Sequence, residues 1–247
     1  MTETAGALLH DGAKLAWRKV EGRGPAVVWL GGFHSDMTGT KAEALAQWAR
    51  GAGRAYLRFD YFGHGASEGR FQDGTISRWR GDALALIGAL SDRPVVLVGS
   101  SMGGWLACLV AMAEPQAVRA LVLIAPAADF TEKLMAPGLP DEARAAMETE
   151  GFWMRPSLYD GDGYPISRAL IEDGARWSIL PGPVPIQAPT RILQGGADPD
   201  VPWTHALELA NALTGKDVVF TLIKDGDHRL SRPQDLARLI AAVEEVI

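Results

Sequence analysis

The sequence predicts an α/β protein: a mostly parallel sheet with helices packed on both faces. Three observations lead there. Short apolar runs of four to six residues alternate with helix-period segments along most of the chain. Most of these runs are rich in Val, Ile and Leu without polar alternation, the pattern of strands covered on both sides. The order strand, helix, strand then repeats, as right-handed crossovers feeding a parallel sheet require.

In chain order, strands are expected at Ala26–Leu30, Arg54–Phe59, Val95–Val98, Ala120–Ile124, Thr190–Gln194 and Val218–Ile223. Helices are expected at Lys41–Arg50, Ile76–Leu90, Met102–Ala113, Thr204–Leu213 and Arg232–Val246. With 247 residues, 47% hydrophobic and 22% charged, the chain has the balance of a globular protein and the length for one sizeable core. The longest apolar stretch, Ala120–Ala128, is nine residues broken by Pro126, short of the roughly 18 that a membrane span needs. A net charge of −6 argues against a nucleic-acid partner, because phosphates must be neutralised by Lys and Arg. The single cysteine, Cys108, cannot close an internal disulfide, and its helical position predicts a buried thiol. The acidic, small-residue N-terminus lacks a basic leader pattern, so the cytoplasm is the expected compartment.

Residues 129–188 break the rhythm. Eight prolines fall between Pro137 and Pro189, together with the aromatics Phe130, Phe152, Trp153, Tyr159, Tyr164 and Trp177. Sixty residues are too many for a plain connection, so an insertion is expected, with short helices at Asp141–Glu150 and Ser167–Gly174. The predicted organisation is a core of residues 1–128 and 189–247 carrying a lid at 129–188. Ten acidic against five basic residues give the insertion a charge of −5, nearly all of the molecule's total. That describes a solvated outer surface and leaves an apolar underside available to cover a site.

The strongest chemical signal is Gly99-Ser100-Ser101-Met102-Gly103, set between an apolar strand and an apolar helix. Gly-x-Ser-x-Gly in a strand–turn–helix setting is a nucleophile elbow, whose turn is so tight that only glycine fits on either side of the exposed serine. Ser101 is the nucleophile candidate, since Ser100 would need a glycine where Val98 stands. An activated serine needs a base and a group that orients the base, in the chain order Ser, acid, His. Asp198, in the Gly-rich loop after the strand ending at Gln194, is the acid candidate, with Asp200 as its rival. His228, in the polar loop before the last helix, is the base candidate; His10, His34, His64 and His205 compete poorly. His205 is expected to be solvated on its helix and His64 to be a turn residue.

The oxyanion of an acyl-transfer intermediate needs preorganised N–H donors. Met102 N, immediately after the nucleophile, and Phe33 N, in the Gly31-Gly32-Phe33-His34 loop, are the candidates. His34 and the lid residues Phe152, Trp153 and Trp177 are candidates for the substrate pocket. No His/Cys/Asp group has metal-ligand spacing, so no metal is expected, and the chemistry calls for no cofactor.

These elements resemble the α/β-hydrolase superfamily over essentially the whole chain. Three segments, Gly32–Ala42, Arg58–Gly69 and Val98–Leu106, with Val201-Pro202-Trp203 and Asp227-His228-Arg229, are similar to the mitochondrial palmitoyl-protein thioesterases, also called acyl-glucuronide esterases. The resemblance implies an α/β-hydrolase fold and Ser101, Asp198 and His228 as a triad. It also implies cleavage of S-acyl cysteine thioesters or activated esters, with a small-molecule ester or an acylated protein as substrate. The Ala/Arg/Gly-rich composition fits a bacterial relative, and the lid is the least alike. The rival readings are a general carboxylesterase, a C–C bond hydrolase with the same triad, and a non-catalytic binding module on the same fold. A dehalogenase would carry Asp where Ser101 stands.

Overall fold

The computed structural model describes residues 2–92, 94–156, 163–180 and 182–247. Tyr159 and Pro181 of the insertion lie outside the described residues. The strands in chain order are β1 (Glu3–His10), β2 (Ala13–Val20), β3 (Arg23–Leu30), β4 (Arg54–Phe59), β5 (Val95–Ser100), β6 (Val118–Ile124), β7 (Phe152–Arg155), β8 (Tyr164–Ser167), β9 (Thr190–Gly195) and β10 (Val218–Ile223). The helices are α1 (Thr40–Ala52), α2 (Ile76–Leu90), α3 (Met102–Ala113), α4 (Asp141–Thr149), α5 (Arg168–Ala175), α6 (Trp203–Ala212) and α7 (Pro233–Val246).

Eight strands form one sheet in the order β1-β2-β4-β3-β5-β6-β9-β10. Pairing is parallel from β4 through β10, and antiparallel where β2 meets β4 and β1. Alternate side chains along each strand enter opposite cores. Val28, Leu30, Leu97, Leu121 and Ile192 pack with Trp79, Leu86, Trp105 and Leu209 of α2, α3 and α6. Val27, Trp29, Val96, Val98 and Val122 pack with Leu45 and Ala49 of α1 and Leu239 and Val243 of α7. Both faces are dry, so the central strands carry near-continuous apolar segments and read as runs. Cys108 is fully buried on α3, where burial pushes its thiol up to about 12. It stays protonated.

The expected strands and helices all form, with boundaries moved by a few residues. Two hairpins were not anticipated. β1 and β2 join through Asp11 and Gly12, both at positive φ (42° and 75°), in the Asp-Gly dipeptide that a two-residue hairpin favours. β1 lies at the sheet edge with most residues exposed, and so carries little apolar pattern to read. The second hairpin, β7–β8, sits within the insertion between its two expected helices. No helix among the described residues is long and apolar enough to cross a membrane.

The insertion leaves the sheet after β6 and is closed at its base by one carboxylate. Asp129 is fully buried at φ +54°, and it accepts hydrogen bonds from Ser178 Oγ at 2.7 Å, Ile179 N at 2.9 Å and Leu180 N at 2.8 Å. The first and last turns of the insertion are thereby clasped together. Asp173 of α5 ties it to α2 as well, accepting from Ser77 N at 2.7 Å and Ser77 Oγ at 2.6 Å. His205 is a correction to expectation. It is buried rather than solvated, with Nε2 2.8 Å from the Ala128 carbonyl at the root of the insertion.

Replacing Asp129 by Ala strips two buried N–H groups and the half-buried Ser178 hydroxyl of their acceptor, so the protein should lose about 3 kcal/mol of stability. Urea denaturation monitored by tryptophan fluorescence reads the loss as a lower midpoint. An unchanged midpoint would mean that the clasp does not hold the insertion.

Candidate functional site

Ser101 sits between β5 and α3 at φ +55° and ψ −119°, a backbone conformation that a side-chain-bearing residue adopts only under constraint. The constraint is visible. Ser101 N donates to Ile124 O at 2.9 Å, and Ser101 O accepts from Gly104 N at 2.9 Å and Ala127 N at 3.1 Å. A Cβ on Gly99 would stand 2.3 Å from Gly103 O, and one on Gly103 would stand 2.1 Å from Leu30 O. Both glycines are therefore demanded by backbone meeting backbone, as the Gly-x-Ser-x-Gly reading expects.

The loop after β3 lies against the elbow. A Cβ on Gly32 would meet Ser100 O at 3.3 Å and Ser101 Cβ at 3.4 Å. Phe33 and Met102, the expected donors to an oxyanion, thus flank Ser101 from two sides. Among the described residues neither N–H donates to a protein acceptor. The Phe33 ring is held by four others: Phe71 (4.8 Å between centroids), Phe130 (5.6 Å), Tyr164 (5.6 Å) and Trp79 (5.9 Å). His34, at φ +56°, stacks on Tyr164 at 5.4 Å and 27°. Tyr164 belongs to the β7–β8 hairpin, so the insertion reaches over this loop.

Asp198 and His228 are brought together by glycine as well. A Cβ on Gly195 would lie 2.5 Å from Gly226 O and Asp227 O, and one on Gly196 would lie 2.7 Å from Lys224 O. The loops after β9 and β10 therefore touch along their backbones. Asp198 Oδ2 accepts from His228 Nδ1 at 2.8 Å and from Gln194 Nε2 at 3.2 Å. Oδ1 accepts from Val201 N at 2.8 Å and Asp200 N at 2.9 Å. Burial raises the Asp198 carboxyl, but the bond and charge of His228 with the Val201 and Asp200 N–H groups outweigh it, and the carboxyl ends below its ordinary value. With Nδ1–H assigned as donor to Asp198, Nε2 keeps a lone pair for accepting a proton. The Asp198 side chain is 0% exposed and that of His228 24%, so the acid is sealed and the imidazole is accessible.

Asp200, the rival acid, is exposed and gives only its backbone N–H to Asp198. The donor atoms of Asp198, Asp200 and His228 lie within 4.8 Å of one another. Nδ1 of His228 is already engaged by Asp198, so the trio is an acid–imidazole pair with an exposed carboxylate beside it. Ser101 and His228 stand at the same carboxyl edge of the sheet, where such folds place their ligands. Among the described residues no hydrogen bond joins them, a looseness common before substrate binds.

The expected pocket residues divide. His34 lies at the loop beside Ser101, as described. Trp153 lines a cavity of about 70 Å³ inside the insertion with Leu134, Met135, Leu139 and Ile166, and half-buried Phe152 pairs with Ser167 across the hairpin. Trp177 is turned toward α2: its N–H donates to Ser77 Oγ at 2.7 Å and Arg80 lies 4.5 Å over its ring. It anchors the insertion there and does not join the rings around Phe33. Phe71, Trp79 and Gln194 contribute to the site without having been singled out from the sequence. Aromatic residues at Phe71 and Trp79 read as ordinary core, and only the fold brings them to Phe33.

The sequence profile of the alpha/beta hydrolase family matches residues 24–239. The human and bovine proteins named mitochondrial palmitoyl-protein thioesterase ABHD10 are each 37% identical over 238 residues, covering 96% of this chain and 78% of theirs. Their names place them in mitochondria, so they lend no support to the cytoplasmic expectation. Among solved structures, a candidate hydrolase from Agrobacterium vitis S4 superposes with a TM-score of 0.95 at 43% identity, covering 100% of both chains. Mouse alpha/beta hydrolase domain-containing protein 10 superposes at 0.89 with 35% identity, covering 98% of this chain and 97% of that one. The profile match and the shared identity along nearly the full length make this chain a member of the alpha/beta hydrolase family.

Proposed function

We propose that the protein is a serine hydrolase that cleaves S-acyl thioesters of the palmitoyl type, or activated carboxylic esters, through an acyl-enzyme on Ser101. The observation that carries this reading is the 2.8 Å Asp198–His228 bond at the same sheet edge as a serine on a strained elbow. The name of the 37% identical relatives supports a thioester as the leaving bond.

In the proposed sequence, His228 Nε2 takes the Ser101 hydroxyl proton as Oγ attacks the acyl carbonyl. Asp198 holds the ring and stabilises the imidazolium that forms. The N–H groups of Phe33 and Met102 hold the oxyanion. The tetrahedral intermediate collapses, and the thiolate or alkoxide leaves with the proton from His228. Water, giving a proton to Nε2, then attacks the acyl carbon, and Ser101 is regenerated as the acid departs. Residues 129–188 serve as the lid, with His34, Phe152 and Trp153 on the acyl side. A carboxylesterase acting on small acyl groups is the second reading. It rests on the same Asp198–His228 pair and elbow serine, which serve any activated carboxylic ester.

Hydrolysis of a palmitoyl-cysteine thioester and of a short-chain aryl ester by the wild type and Ser101→Ala tests the reading. Ser101→Ala should lose at least about 10³-fold in kcat on whichever substrate is turned over. Survival of activity would overturn the acyl-enzyme, and faster turnover of the short ester would favour the second reading.

Asp198→Asn should lower kcat by about 10⁴-fold, because an amide cannot hold the same tautomer of His228. It should also flatten the acid side of the stability profile. The folded Asp198 carboxyl lies below its ordinary 3.8, so its contribution is complete above that value and is lost as pH falls through the lower folded one. Urea midpoints at a series of acid pH values compare the two proteins. Parallel curves would refute the assignment of that stability to Asp198.

A further inference from the structure

We infer that Lys41 is a positioning residue for His228, gripping the backbone next to the imidazole and tying it to the helix that follows the Gly31–His34 loop. The inference rests on the acyl-enzyme reading above. Lys41 lies in the first turn of α1, where the helix dipole disfavours a cation. Its Nζ donates to the carbonyl oxygen of Arg229 at 2.5 Å, a bond between residues 188 apart in sequence. Arg229 is the neighbour of His228. The same carbonyl lies two residues before Ser231, whose hydroxyl also donates to it at 3.0 Å, but a charged donor makes the stronger bond.

The turn being held is a constrained one. Leu230 sits at φ +44°, and its N–H donates to Asp227 Oδ1 at 2.9 Å. Asp227 therefore closes the turn from within, and Lys41 fastens it from outside. The Asp198 bond fixes the imidazole at Nδ1, while the Lys41 bond fixes the peptide chain from which the ring hangs. Together they determine how far Nε2 stands from Ser101. Since α1 continues directly from the loop carrying Phe33, the lysine also references the base to the proposed oxyanion donors.

The groups facing α1 are few. Asp227 and Arg229 lie beside the ammonium itself. Further along the helix, Glu43 meets Arg18 of β2 and Arg58 of β4, Arg50 meets Glu3 of β1, and Trp48 bonds Glu244 of α7. Burial lowers the Lys41 ammonium to about 8, Asp227 opposes that shift, and Arg229 adds to it. The cation is thus present at neutral pH and lost as pH rises through about 8.

Lys41→Met keeps an unbranched apolar stem out to the ε-carbon and removes the ammonium. We expect kcat to fall at least about tenfold with KM within about twofold, since misplacing a catalytic group by a fraction of an ångström acts on the chemical step. Lys41→Arg, charged at every accessible pH, should recover most of kcat. Wild-type kcat should decline through about pH 8, and that decline should be absent from Lys41→Arg. Circular dichroism of each variant separates misfolding from mispositioning. A folded Lys41→Met with wild-type kcat, beside an inactive Ser101→Ala, would overturn the role of Lys41 and leave the acyl-enzyme standing. An active Ser101→Ala would remove the acyl-enzyme and the role of Lys41 with it. Should Lys41→Met not fold, Lys41→Gln takes its place, and a folded Lys41→Gln with wild-type kcat overturns the inference.

Discussion

The structure depends on the turn at Ser101. A serine held at φ +55° costs on the order of 1–3 kcal/mol, so everything around it must make the alternative worse. Its own backbone is bonded to β6 and to the segment that opens the insertion. The flanking glycines allow α3 to begin against the carbonyls of Leu30 and Gly31, closer than any side chain would permit. That close approach sets three positions at once: the serine, the first turn of α3 with Met102, and the end of β3 from which the Phe33 loop departs. A proposed nucleophile and two proposed donors are thus registered by one steric contact and not by three independent ones.

The Phe33 loop must then stay where β3 releases it, and charges buried on the neighbouring strand hold its far end. Asp60, just after β4, accepts from Met37 N at 2.7 Å and from Ala66 N at 2.8 Å. Burial pushes its carboxyl up, and those two N–H groups act against the push. Arg58, 0% exposed, donates to Met37 O at 2.9 Å while Glu3 and Glu43 balance its charge. Both polar groups of one peptide residue are therefore clamped from β4. An unpaired charge at either position would be expensive in this interior, which makes the clamp mutually dependent. Lys41, four residues on, extends the same logic from the loop to His228.

Much of this was legible in the sequence because the central strands are buried on both faces and α3 is apolar around its circumference. Such elements announce themselves by composition. Gly99, Gly103, Gly195 and Gly196 were legible for another reason: each marks a place where two backbones meet, and glycine leaves no substitute. The β1–β2 hairpin leaves little apolar pattern because most residues of its outer strand are exposed, although Asp11-Gly12 signals the turn. His205 misled in the opposite way. A histidine on a helix looks solvated until the fold places a carbonyl, here that of Ala128, against its ring. The same holds for Lys41 and Trp177, whose partners Arg229 and Ser77 are 188 and 100 residues distant. Long-range polar pairs leave no local trace.

How the insertion is seated on the Phe33 loop is a feature that only packing could reveal. Beneath β7–β8, Trp153 and Ile166 pack with Leu134 and Leu139 around a cavity of about 70 Å³. Tyr164 lies on that same hairpin, directly across from Arg155, and its ring packs on both Phe33 and His34. A displacement of the hairpin therefore unstacks Phe33, the residue proposed to hold the oxyanion, from one of its four aromatic neighbours. Phe71, Trp79 and Phe130 remain, and Phe130 is itself braced by Trp105 of the elbow helix. Three of the four rings lie off the hairpin, Phe71 and Trp79 in the core and Phe130 at the root of the insertion, and they make the loop geometry resistant to a shift of the hairpin. On this arrangement the hairpin can shift while the elbow, the clamp on Met37 and the rings behind Phe33 stay in place.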